Sequence, residues 1–178
     1  MYVTDSITLK KHNFKPKNKK NYYYHLTTNM LWGDSIFLSP KNSGDNRGFD
    51  EPHYPRTCVA KTIINCLSAL DFYGSQYINV YRTKNKVLAY DAIGVPDVKI
   101  TNEKWIFKKV EFVKIGTIKH TLFEEILEMQ MKNDFTFGES KNTIEYRRQK
   151  EYKNNLVKRF KNDPVKIKYK KRMAIIER

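Results

Sequence analysis

Arg56-Thr57-Cys58-Val59-Ala60-Lys61-Thr62-Ile63-Ile64-Asn65-Cys66-Leu67-Ser68-Ala69-Leu70 is the stretch on which the fold class turns, because its periodicity changes in the middle. Residues 56–60 read as extended chain. Thr62 then stands as a helix N-cap, and Ile63, Cys66, Leu67 and Leu70 recur at helical spacing on one face. The expectation is a helix over 62–73, ended by Gly74.

Upstream, Tyr22-Tyr23-Tyr24-His25-Leu26-Thr27 is an aromatic run that predicts a strand, and Ser35-Ile36-Phe37-Leu38-Ser39 predicts another, closed by Pro40. Residues 41–55, rich in Gly, Asn, Asp and Pro, predict a long loop. Downstream, strands are expected over 76–82 and 86–90, joined by a polar turn, then over 104–110 and 113–119. Thr121 and Glu124 have capping-box spacing before an amphipathic helix with Leu122, Ile126 and Met129, broken at Gly138. Residues 143–162 predict a long basic helix whose thin apolar face is Ile144, Tyr152, Leu156 and Phe160. Val165, Ile167 and Tyr169 then alternate with Lys166, Lys168 and Lys170, which is strand period. The fold expected is α+β: a small split or half-open, mixed or antiparallel sheet with one main helix, followed by a basic helical C-terminal extension.

Charge divides the chain of 178 residues in the same way. Its formal charge of +15 lies wholly at the ends. Residues 1–21 carry six Lys against one Asp, and 141–178 carry fourteen Lys and Arg against four acids. Residues 22–140 balance. The organisation expected is a basic flexible arm (1–21), a globular α+β domain (22–140) and a basic C-terminal extension (141–178). No apolar run is long enough to span a bilayer, and no apolar segment follows the basic N-terminus as in a secretory signal. Cys58 and Cys66 are too few for a disulfide framework or a zinc site, so reduced core thiols in a cytoplasmic protein are expected, with no metal. Abundant Lys, Asn, Ile and Tyr fit a phage or mobile-element origin in a bacterial host.

Phosphate-binding, dinucleotide-binding and hydrolase-elbow motifs are absent from the sequence. His25 and Thr27 form one H-x-T motif, but neither His12, His53 nor His120 supplies the second that a two-histidine phosphoesterase needs. Asp50, Glu51 and His53 read as a solvated loop rather than a metal site.

Taken in order, Tyr24-His25-Leu26-Thr27, Ile36-Phe37-Leu38-Ser39-Pro40, Pro55-Arg56-Thr57-Cys58, Cys66-Leu67-Ser68-Ala69-Leu70 and Glu103-Lys104-Trp105 resemble a pattern of small phage and Firmicutes proteins. These in turn are similar to the ADP-ribosyltransferase fold. The resemblance covers about residues 22–119. It implies NAD as the cofactor, with His25 and Thr27 bonding its ribose and nicotinamide side and Thr62 bracing the site. It implies that Glu103 bonds the ribose 2′-hydroxyl and stabilises the charge that develops as nicotinamide leaves. His25 and Glu103 are the catalytic candidates. Ala60 departs from the pattern, which commonly has serine there.

The basic ends suggest an anionic partner, a nucleic acid or an acidic protein surface. Arg147, Arg148, Lys150, Lys153, Lys158 and Arg159 lie on the long helix with Tyr146, Tyr152 and Phe160, and Lys166, Lys168 and Lys170 follow it. Cations neutralise phosphate and tyrosines stack on unpaired bases. Two functions are therefore expected from the sequence. One is a binding protein of phage or mobile-element type that grips its partner through basic ends on a transferase-like body. The alternative is an active NAD-dependent ADP-ribosyltransferase.

Overall fold

The computed structural model describes residues 19–28, 33–41, 54–70, 77–133, 143–162, 166–170 and 173–177; side chains of 119–123, 160–162 and the last two segments are not part of the description. The fold is α+β, with thirteen elements among the described residues. In chain order they are β1 (Tyr24–Thr27), β2 (Ser35–Leu38), β3 (Thr57–Val59), α1 (Ile63–Leu67), β4 (Tyr77–Thr83), β5 (Tyr90–Asp91) and α2 (Val98–Thr101). There follow β6 (Lys104–Ile106), β7 (Val110–Lys119), α3 (His120–Asn133), α4 (Ile144–Asn162), β8 (Lys166–Lys170) and β9 (Met173–Glu177).

The strands make a four-stranded sheet in the order β1-β4-β7-β2, a three-stranded sheet in the order β3-β6-β5, and the β8-β9 hairpin. Every pairing is antiparallel. The expected split sheet is thus two sheets. They are stitched where Tyr24 N donates to Ala60 O at 2.8 Å and Ala60 N donates to Tyr24 O at 3.1 Å, and the Asn21–Val87 and Lys41–Arg56 pairs make like bridges to either side.

Strand alternation sorts side chains to the two faces of the large sheet. Leu26, Ile78, Val80, Ile115 and Ile118 point to one side and pack on Leu67, Ile126, Tyr152 and Leu156 of α1, α3 and α4. Tyr23, Tyr81 and Phe112 point to the other and meet Val59, Ala89 and Ile106 of the small-sheet region. A register shift between Val80 and Tyr81 adds a bulge to the central pair β4-β7. Trp105 and Phe107 pack with Ala92 and Val95 on the outer side of the small sheet. The layers are therefore helices, large sheet, small sheet.

The strand expected over 86–90 is reduced to β5 at Tyr90–Asp91, and α3 starts at His120 rather than after a Thr121 cap. Three further expectations are corrected by packing. The helix opened by Thr62 runs only over Ile63–Leu67, although its apolar face is the one expected; Phe72 to Gly74 lie outside the described residues. The break expected near 111–112 falls at 107–109, because Glu111 is a strand residue opposite Phe37. The third concerns α4, expected to lead an extension beyond residue 140. Its Gln149, Tyr152 and Leu156 are 0% exposed, and two of them belong to the central core. Three buried residues at helical spacing outweigh the helix's charge, so α4 is part of the body. Ile144, assigned to the apolar face, is exposed. Thr143 caps α4, its Oγ1 accepting from Tyr146 N at 3.1 Å. The arm up to residue 18 and most of the 41–55 loop lie outside the described residues. Among the described residues no helix is long and apolar enough to cross a membrane.

Removing Leu156 from this core tests the docking of α4. Leu156→Ala is expected to cost about 2–5 kcal/mol in urea unfolding. Val157→Ala, one residue away on the exposed side, should cost less than about 1 kcal/mol. Equal small losses would mean that α4 does not pack on the body.

Candidate functional site

A pocket of about 130 Å³ lies where β1, β3, α1 and the entry to β6 converge. Its walls come from the motifs that the sequence offers separately. His25 and Leu26 enter from β1, Cys58 to Ala60 from β3, Cys66, Ala69 and Leu70 from α1 and its exit, and Glu103 from the start of β6. Asn65 and Thr101, both buried, add polar groups at the edge of an otherwise mainly apolar cavity.

His25 arrives through strand alternation, since its neighbours Tyr24 and Leu26 pack toward the helix layer. Its ring stands edge-on to Phe112, with centroids 6.1 Å apart. Nδ1 lies 2.9 Å from Cys58 O. A carbonyl only accepts, so Nδ1 carries the proton and, in the neutral ring, Nε2 carries the lone pair. Burial lowers the pKa of His25 below its ordinary 6.5, the bond to Cys58 O working the other way. Neutral imidazole is therefore the favoured form.

Glu103 is aimed by the turn before it. Asn102 closes α2 at φ 51°, a left-handed conformation that asparagine adopts more readily than most residues. Glu103 and Trp105 then share one face of β6, two residues apart, and Trp105 Nε1 donates to Glu103 Oε1 at 2.6 Å. Cys58, paired with Trp105 across the sheet, hydrogen-bonds the same carboxylate. The Arg56 guanidinium stacks 4.5 Å from the Trp105 ring centre. Burial raises the Glu103 pKa; the bonds from Cys58 and Trp105 and the charge of Arg56 oppose that rise, and Asp97 adds to it. The carboxylate is thus fixed in orientation and partly desolvated, with acceptor capacity beyond the indole bond.

The cysteines are free. Burial foremost pushes the Cys58 thiol well above its usual range and the Cys66 thiol to about 12. Both are protonated at neutral pH, so the pocket is not built around a thiolate nucleophile.

Of the residues expected at the site, the fold brings His25 and Glu103 together. Thr27 and Thr62 do not line the pocket. Thr62 Oγ1 accepts from Asn65 N at 3.1 Å as the cap of α1, and Thr27 lies opposite Asn79 in the large sheet. The basic residues of α4 also divide. Arg147, Arg148, Lys150 and Lys158 are exposed. Lys153 donates to Ile100 O, and Arg159 Nη2 donates to Glu125 Oε2 at 2.9 Å, so these two serve the fold. Lys166, Lys168 and Lys170 lie on β8, whose side chains are outside the description. Sequence reading missed the support provided by Arg56 and Trp105. The signal was present, because P-R-x-C and E-x-W each place two residues on one strand face.

Among the described residues no cluster of His, Cys, Asp and Glu is arranged to hold a metal ion. No protein-family model, no curated protein and no solved structure matches this chain.

The lowered pKa of His25 gives a signed expectation. A group whose folded pKa is depressed contributes stability that is complete above its unfolded value and is lost as pH falls through the folded one. The stability advantage of wild type over His25→Asn should therefore shrink as pH is lowered from about 7.5 to about 5. A pH-independent gap in urea midpoints would contradict a buried neutral imidazole.

Proposed function

We propose that this pocket receives the nicotinamide end of NAD and that the protein is an enzyme of the ADP-ribosyltransferase type, acting on a protein or nucleic acid. The observation that carries the reading is the meeting of His25 and Glu103, distant in sequence, in one cavity of about 130 Å³. A protein cavity of about 150 Å³ holds a benzene ring. The pocket is therefore on the scale of a single aromatic ring, and the rest of a dinucleotide would lie outside it. Leu26, Val59, Ala60 and Leu70 offer apolar contact to a ring, while Asn65 and Thr101 supply polar atoms suited to a carboxamide.

When bound, NAD supplies a glycosidic bond whose cleavage leaves positive charge on the ribose. The chain's own groups suit that change. Neutral His25 accepts a hydrogen bond from a ribose hydroxyl at Nε2, with no proton transferred, which orients the sugar without adding like charge. Glu103, fixed by Trp105 and Cys58, presents a carboxylate to the carbon where positive charge develops, and a pre-oriented charge in a desolvated site acts strongly. A protonated Glu103 loses this role, so activity should fall as pH drops through its raised pKa.

Calorimetric titration with NAD, paired with chromatographic assay of nicotinamide release, tests the reading. Wild type should bind NAD and His25→Ala should bind it less well. Glu103→Gln should retain binding while release falls on the order of 10²–10³-fold. No heat with wild type, or unchanged release in Glu103→Gln, would overturn it.

A second reading has its own observation. Because Gln149, Tyr152 and Leu156 are buried, Arg147, Arg148, Lys150 and Lys158 lie on the solvent side of α4. On this reading the protein is a binder of phage or mobile-element type, gripping nucleic acid or an acidic protein with a body that performs no chemistry. An Arg147→Glu, Lys158→Glu variant should then lose the partner with NAD binding unchanged, and Glu103→Gln should be silent.

A further inference from the structure

The large sheet carries an exposed row of side chains that neither the pocket nor α4 uses. Its register defines the row. Tyr24 lies opposite Arg82, Arg82 opposite Val113, and Val113 opposite Ser35. Tyr24 and Val113 pack at the margin of the helix-side core. One step outward on the same face, Lys84 N bonds Glu111 O and Glu111 lies opposite Phe37. Tyr22, two residues before Tyr24, completes the row on the β1 side. The outer row across the sheet is therefore Tyr22, Lys84, Glu111, Phe37.

Both ends are aromatic and open. Tyr22 is 39% exposed and Phe37 is 61% exposed. Each ring has a cation over a face, which leaves stacking to whatever face stays open or to displacement of the cation by a base. Arg82 lies 4.4 Å and Lys86 5.8 Å from the Tyr22 centroid, and Lys109 lies 5.0 Å from that of Phe37. Lys84 occupies the middle and contacts Glu111 at 3.0 Å, so the row's one carboxylate is already compensated. Four cations against one acid leave a positive face between two ring platforms. One residue separates Tyr22 from the pair Lys19 and Lys20, which are exposed.

We infer that this face of the large sheet binds single-stranded nucleic acid, with unpaired bases stacking on Tyr22 and Phe37 and the phosphates running past Arg82, Lys84, Lys86 and Lys109. The strand order puts three inter-strand gaps between the rings, about 14 Å. A four-stranded sheet with exposed aromatics stacks two or three bases over such a span. The chemistry selects this partner over others. A duplex hides the faces of its bases, and an acidic peptide has no use for two ring platforms. Base-on-ring stacking tolerates any sequence, so the face binds without strong sequence preference. The inference is independent of the NAD reading.

Fluorescence anisotropy with a labelled oligothymidylate and an oligouridylate, each about 12 nucleotides long, tests it against a duplex of equal length. Wild type should bind the single strands more tightly than the duplex. Phe37→Ala and Tyr22→Ala should each weaken binding roughly 5- to 100-fold with the salt slope unchanged. Lys86→Ala and Lys109→Ala should each lower that slope by about 0.7. Both rings are exposed, so the variants should melt as wild type does, and thermal scans verify this. Indifference of both aromatic variants, equal duplex affinity, or no binding by wild type would each overturn the inference. Loss on Arg147→Glu alone, with Phe37→Ala silent, would overturn it in favour of α4.

Discussion

Two backbone hydrogen bonds between Tyr24 and Ala60, flanked by the Asn21–Val87 and Lys41–Arg56 bridges, are the stitch on which the rest of the architecture depends. They fasten an edge of the large sheet to an edge of the small one, so the sheets stay in fixed relation without merging. Ala60 then has β1 on one side and the entry to β6 on the other. That brings a histidine from the first strand and a glutamate from the sixth to one cavity. Backbone bonds do this with little dependence on side chains, which is why an alanine suffices at a position lined by more reactive neighbours. The stitch also separates two kinds of interior. Tyr23, Tyr81 and Phe112 fill the space between the sheets, while aliphatic residues fill the space beneath the helices.

The helix layer supports the pocket from the side opposite the stitch. Gln149 Nε2 donates to Ser68 O at 3.0 Å and to Asp97 Oδ2 at 2.7 Å, joining α4 to the exit of α1 and the start of α2. Lys153 reaches Ile100 O from the next turn. The buried Gln149 NH2 group has both its donors paired only in one placement of all three elements, which ties the segment leading to Glu103 to the C-terminal helix.

Local signals in the sequence carried most strands of the large sheet, the apolar face of α1 and the span of α4, since each depends on residues close together in the chain. β9 had no such signal, and β5 and the break between β6 and β7 fell elsewhere. His25, Thr27, Thr62 and Glu103 were singled out by a resemblance in the order of short motifs, and the fold brings only His25 and Glu103 to one pocket. Thr62 caps α1 and Thr27 is held opposite Asn79, as local hydrogen bonding and strand register dictate. The packing of α4 was obscured because charge dominates its composition while three buried residues decide its position. The row from Tyr22 to Phe37 was not legible at all. Its members lie on or just beyond the ends of four strands whose order in the sheet is not their order in the chain, so only the register assembles them.

The docking of α4 also has a consequence for synthesis. The large sheet pairs β1 with β4 and β4 with β7, all contacts between distant parts of the chain, which slows folding. Its aliphatic face is covered in part by Tyr152 and Leu156, which leave the ribosome more than seventy residues after Val80. At about 5–20 residues per second, that face stays incomplete for roughly 4–15 s. During this interval the nascent chain presents incompletely buried Ile78, Val80 and Leu26, an aggregation-prone surface. The basic helix is then the element that ends the vulnerable period, a task set by its position in the chain rather than by its charge.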